Sequence, residues 1–211
     1  ATSSVIATSS SRRGQHTATQ QHKSSKTALK QEARRHSSPA MSKQQLQKAA
    51  LESSGVSYEE SLLSQQLKPS MYERVGHDPG FRQLSQDFYD RVFADTDAAW
   101  FVNIFSSSTK QEAVENQYLF FVQTFGGPDL YRQKKGKYTR LAGRHANYNI
   151  GHKAAERWVY HMKEAVHNHH ALKDDVEARD LLLKYFKYTA HYIVAASEYM
   201  RSDQLSGGTK I

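Results

Sequence analysis

Eleven histidines and no cysteine set the chemistry open to this 211-residue chain. Without Cys there is no disulfide scaffold, no thiolate zinc site, no iron–sulfur cluster and no thiol nucleophile. The chain also lacks a His-Glu-x-x-His zinc spacing, a phosphate-cradling glycine loop and a Gly-x-Ser-x-Gly nucleophile turn, so hydrolase and nucleotide-binding classes have no residues to stand on. His167, His169 and His170 cluster at the end of a predicted helix. A solvated helix terminus is the expected reading, ahead of adventitious metal binding. His145 is different. It follows Gly143 and Arg144 at the end of a long loop, after a helix carrying Phe120 and Phe121 and thirteen residues before Trp158. One soft nitrogen ligand, bulky apolar side chains and a few donors opposite are what a helical protein needs to grip a flat apolar cofactor.

The elements that would hold these residues are helices. Phe81, Leu84, Phe88 and Val92 share one face of a segment predicted to be helical over 81–95. Thr109 and Glu112 form a capping box for a helix running through Phe125. Ala113, Gln117, Phe120 and Thr124 line one face of it and Val114, Tyr118, Phe121 and Phe125 the next, so it is buried on two sides. Gly126, Gly127 and Pro128 stop it. Residues 129–150 have no clean period and read as an ordered loop with one helical turn. A third helix, near 152–168, carries Ala155, Trp158, Val159, Met162, Ala165 and Val166. A last helix opens at Asp174 and Asp175, with the stripe Leu182, Tyr185, Phe186, Thr189 and Ile193, and runs to about Met200. No alternating strand pattern and no repeat occurs. The fold class is all-α, built helix on helix.

The net charge of +8 resides in the first fifty residues, which hold nine basic residues and one acid, Glu32. The remainder is neutral, with 20 of each sign, so the folded part gives no electrostatic reason to expect nucleic acid. No apolar run approaches the ~20 residues of a membrane span, and no membrane association is expected. The expected organisation is a disordered, basic, Ser/Gln-rich extension over 1–50 and a marginally helical linker over 51–70, in which Ser57 and Glu60 are spaced as a capping box and Pro69 breaks the chain. A globular domain over 71–205 and a flexible tail over 206–211 follow. The extension also has the composition of an organelle-targeting segment.

Several ordered motifs carry a resemblance. Tyr72-Glu73-Arg74-Val75-Gly76, Asp87-Phe88-Tyr89-Asp90-Arg91-Val92, Phe120-Phe121-Val122-Gln123 with Gly126-Gly127-Pro128, Lys135-Gly136, Gly143-Arg144-His145 and Glu156-Arg157-Trp158 together resemble the truncated haemoglobins of group II. Trp100-Phe101, Ile104-Phe105 and Asn116-Gln117-Tyr118 are most similar to the plant-type branch. Two positions depart from the pattern: His77 follows Gly76 in place of a second glycine, and Lys137 stands where a His is frequent.

The resemblance implies a two-over-two helical globin sandwich around haem b. It implies His145 as the proximal iron ligand, Tyr89, Gln117 and Trp158 as distal polar residues, and Ala113 where longer globins carry a distal His. Phe105 is implied against the porphyrin and Arg144 near a propionate, with Phe120, Tyr148, Ile150 and Met162 completing the cofactor-binding set. Neutral imidazole binds iron through one nitrogen, and a partner on the other sets its tautomer. The phenol, indole and amide are all donors. Taken singly, Tyr89 also reads as a core tyrosine, Trp158 as packing and Gln117 as a surface amide. A buried amide on an apolar face, however, needs a partner. The implied function is reversible binding of oxygen, nitric oxide and carbon monoxide. The alternative is an enzyme in the same pocket, with nitric oxide dioxygenase-like, peroxidase-like or nitrite-reducing chemistry. That chemistry would need an external reductase, because the chain has no flavin or nicotinamide domain. A homodimer is left open. The expected location is the cytoplasm, with plastid or mitochondrion as the alternative.

Overall fold

The computed structural model describes residues 42–136, 141–145, 148 and 150–207. The expectation of disorder over 1–41 and part of the expected tail, 208–211, lie outside the described residues. Ten α-helices are described: α1 (Lys43–Ser54), α2 (Tyr58–Leu62), α3 (Met71–Arg74), α4 (His77–Phe93), α5 (Ala99–Val102), α6 (Lys110–Thr124), α7 (Leu130–Lys135), α8 (Leu141–His145), α9 (His152–Asn168) and α10 (Val176–Gly207). Among the described residues there is no strand, and no helix is long and apolar enough to cross a membrane.

Four long helices make the sandwich. α4 runs antiparallel to α6: Arg82 pairs with Glu115 near one end, and Asp90 with Lys110 at the other. α9 runs antiparallel to α10, with Trp158 against Phe186 and Ala155 against Ala190 and Val194. The two pairs meet in an aromatic core. Phe81 of α4 stacks on Phe125 at 5.5 Å, Phe121 of α6 meets Phe186 at 5.0 Å, and Phe125 meets Tyr185 at 4.9 Å. The sequence sets the ends. Thr109 and Glu112 form the reciprocal capping box of α6, and Asp175 accepts from the Ala178 N–H at the start of α10. Gly126 takes φ +97, which lets the chain turn out of α6.

Several boundaries differ from the expectations. α4 starts at His77, four residues early, because Pro79 lies in its first turn, where no intrahelical donor is required. α10 extends through Gly207, beyond Met200 and into the expected tail. Residues 129–150 hold two short helices, α7 and α8. The expected boundary at residue 50 falls inside α1, which Ser42 and Gln45 cap reciprocally. Ala50 is fully buried and packs with Val56 and Tyr188 of α10, and Lys184 bonds Glu60 of α2 at 2.9 Å. A segment of low hydropathy is therefore ordered here by a tertiary contact with a distant helix. The histidine cluster also differs: His169 is fully buried, and its Nε2–H donates to the Gly80 carbonyl at 3.0 Å. Its partner is a carbonyl of α4 rather than water. No group of three or more metal-ligating side chains occurs among the described residues.

Candidate functional site

A cavity of about 550 Å³ lies between the helix pairs, within the ~300–1,000 Å³ range of cofactor and ligand pockets. Its walls come from α4, α5, α6, α8, α9, α10 and the short turn Asn103–Phe105. The two-sided burial of α6 resolves into two roles. Ala113, Gln117 and Phe120 face the cavity, while Val114, Tyr118 and Phe125 are buried in the core.

His145 closes α8. Its Nδ1 lies 2.8 Å from the carbonyl oxygen of Leu141, one turn earlier. That geometry puts the ring proton on Nδ1 and leaves Nε2 with a free lone pair. Burial pulls the pKa of the ring below its ordinary value, so the neutral, ligating form is favoured. Arg144 lies over the Tyr131 ring at 4.8 Å and makes no ion pair among the described residues, so its charge is available to an anion. Tyr148 and Ile150 continue this wall. The hydroxyls of Tyr148 and Ser107 are 3.1 Å apart at its exposed edge.

The opposite wall carries the donors. Tyr89 is 7% exposed, and burial alone pushes its phenol well above the ordinary value. It stays protonated and able to donate at any physiological pH. Phe105 meets the Tyr89 ring edge-on at 5.7 Å. The Gln117 side-chain oxygen is buried with no hydrogen-bond partner. Trp158 packs between Phe88 at 5.1 Å and Phe186 at 5.7 Å, and also lines the cavity.

Of the residues singled out in the sequence, Tyr89, Phe105, Ala113, Gln117, Phe120, Arg144, His145, Tyr148, Ile150 and Trp158 all line this one cavity. Met162 does not. It is fully buried in the hydrophobic core one turn beyond Trp158, where the apolar stripe of α9 has passed the pocket. Ser107, Ser108 and Asn116 also line the cavity without having been expected there, and Tyr185, Phe186, Thr189 and Ile193, expected on an apolar stripe, line it too. Their helical period was visible, but period alone does not separate a core face from a cavity wall.

The donor set suits a haem. The cavity gathers one neutral imidazole, a protonated phenol, an Arg with no ion pair among the described residues and a buried amide oxygen without a hydrogen-bond partner.

Comparisons with known proteins agree. The family described as bacterial-like globin matches residues 70–194. Two-on-two hemoglobin-3 of Arabidopsis thaliana is 38% identical over 161 residues, covering 76% of this chain and 88% of that protein. Group 2 truncated hemoglobin 3-1 of Lotus japonicus is 42% identical over 129 residues, covering 61% of this chain and 74% of that protein. Among solved structures, a thermostable hemoglobin from Thermobifida fusca matches with a TM-score of 0.53 and 32% identity, covering 59% of this chain and 96% of its own. A truncated oxygen-avid haemoglobin from Bacillus subtilis matches with a TM-score of 0.51 and 30% identity, covering 59% of this chain and 98% of its own. The chain therefore belongs to the group II truncated haemoglobins, with their two-over-two fold.

Proposed function

We propose that the cavity would hold haem b through His145 Nε2, and that the chain reversibly binds oxygen and other diatomic gases such as nitric oxide and carbon monoxide. The observation that carries the proposal is the His145–Leu141 hydrogen bond of 2.8 Å, which keeps the ring proton on Nδ1 and leaves Nε2 as the free nitrogen. Haem, when bound, would supply an iron able to take a gas. The chain supplies the rest. Phe105, Phe120 and Ile150 provide apolar contact for a flat ring, and Arg144 a cation for a propionate. Tyr89, Gln117 and Trp158 provide donors for a ligand that draws negative charge. Burial strengthens each of these hydrogen bonds relative to water.

Haem titration of the purified full chain tests the proposal. The expected result is a saturable Soret band at one haem per chain, which shifts when the reduced protein meets carbon monoxide. Haem uptake that never saturates, or a spectrum indifferent to carbon monoxide, would overturn it.

A further inference from the structure

Tyr89 and Trp158 face the same cavity from different helices, so something must set the angle between α4 and α9. Asp95 stands at that junction, two residues beyond the end of α4, with a side chain only 3% exposed. Arg157 grips it with a two-pronged fork, Nε to Oδ2 at 2.7 Å and Nη2 to Oδ1 at 2.6 Å. The Nε2–H of His161 donates to Oδ2 at 2.7 Å. Arg157 and His161 are one turn apart on α9, and Trp158 follows Arg157 directly. Holding two side chains of one turn at a single carboxylate fixes both the height and the rotation of that turn.

The same carboxylate reaches the other wall. The His161 ring lies parallel to Phe101, 5.9 Å away with 16° between the planes. Phe101 meets Phe105 edge-on at 5.3 Å, and Phe105 meets Tyr89 edge-on at 5.7 Å. Phe101 and Phe105 both line the cavity. Asp95 therefore connects to Trp158 along α9 and to Tyr89 through the rings of His161, Phe101 and Phe105. A buried ion pair is a poor way to gain stability, because desolvation offsets much of the attraction. A bidentate fork is, however, a good way to fix geometry.

We propose that Asp95 is a positioning residue for the gas-binding wall: through Arg157 and His161 it sets how Trp158 and the Phe101–Phe105 pair meet the bound gas. The inference rests on the haem reading above. It concerns a carboxylate between α4 and α9 that is not itself part of the cavity lining.

The test compares wild type, Asp95→Asn, Trp158→Phe and the double mutant as full chains. The first readout needs no haem. The chain has two tryptophans, so the 15N-labelled protein gives two indole N–H signals, and Trp158→Phe identifies which belongs to Trp158. Asp95→Asn should shift or broaden the Trp158 signal. The second readout is the infrared C–O stretch of the carbon monoxide complex, which should move or split in Asp95→Asn. Oxygen dissociation should quicken about three- to tenfold, within the range of coupling between neighbouring groups. On the Trp158→Phe background Asp95→Asn should quicken that rate by less than it does alone, because only the route through Phe101 and Phe105 remains. If Asp95→Asn does not fold, Arg157→Lys keeps the charge, loses the fork and should move the same band. A merely structural ion pair would lower the melting temperature and leave the indole signal and the C–O stretch unchanged; that result, with a normal Soret band, overturns this inference alone. A wild type that takes up no haem overturns the haem reading and this inference together.

Discussion

His145 ends a helix of five residues, and its one hydrogen bond closes within the same turn, on Leu141. Tyr89, Gln117 and Trp158 instead come from three helices of 17, 15 and 17 residues, brought together by an aromatic core and by Asp95. The two walls of one cavity thus differ in kind. On the His145 side the chemistry is local and rests on a single side chain. On the Tyr89 side it is distributed, so neighbouring groups can compensate for one another. Damage to the first wall should be all-or-none, and damage to the second graded.

The largest expected effect follows from the first wall. His145→Ala removes the one imidazole that lines the cavity among the described residues. Gel filtration of the reconstituted variant should separate haem from protein, whereas the wild type carries it through the column. Retention at wild-type stoichiometry would mean that this wall is not as local as it looks.

The next effect sharpens the second wall. A hydrogen bond to a charged group is worth about 1.5–3 kcal/mol, or roughly ten- to hundredfold in an equilibrium constant. Tyr89→Phe keeps the ring and removes only the hydroxyl, so stopped-flow oxygen dissociation should quicken within that range. Carbon monoxide dissociation, with little charge on the ligand, should change far less. Adding Trp158→Phe should quicken oxygen release by less than the product of the single effects, because the donors share one ligand. Full multiplicativity would argue against a shared wall.

A smaller effect is expected away from both walls. Removing residues 1–56 deletes α1 and Val56 and uncovers Tyr188. Losing about 2 kcal/mol of apolar packing should lower the melting temperature of the holoprotein by about 4–8 °C, with the Soret band unchanged. A shifted Soret band would show that the extension acts on the pocket itself.

The smallest is a dependence on acid. Hydrogen bonds from Arg157 and then His161 hold the Asp95 carboxyl well below the usual carboxylate range. A depressed folded value contributes stability above the ordinary value near ~4 and loses it as the pH falls further. Thermal melts of wild type between pH 6 and about pH 3 should therefore show a component of acid destabilisation that Asp95→Asn lacks. Parallel curves would deny Asp95 its ionised partnership.

The contrast between the walls also governs what the sequence disclosed. His145 stood out because its neighbours in sequence, Gly143 and Arg144, are its neighbours in space. The faces of α6 were legible because helical period and a capping box are local signals. Met162 was misplaced because it shares a stripe with Trp158, and the period does not say on which turn the cavity ends. α1 was only marginally legible because its partner, Tyr188, lies far along the chain. Asp95 carried no signal at all, since its partners are 62 and 66 residues away and no spacing rule links them.

Chemical rescue tests the central claim most directly. His145→Gly leaves a hole the size of an imidazole beside the proposed haem. Its Soret spectrum should be lost or grossly altered without additive, and free imidazole should restore the wild-type ferrous and carbon monoxide spectra in a saturable way. A glycine variant that keeps the wild-type ferrous spectrum with no imidazole present would contradict the account, because the axial nitrogen would then come from somewhere other than His145.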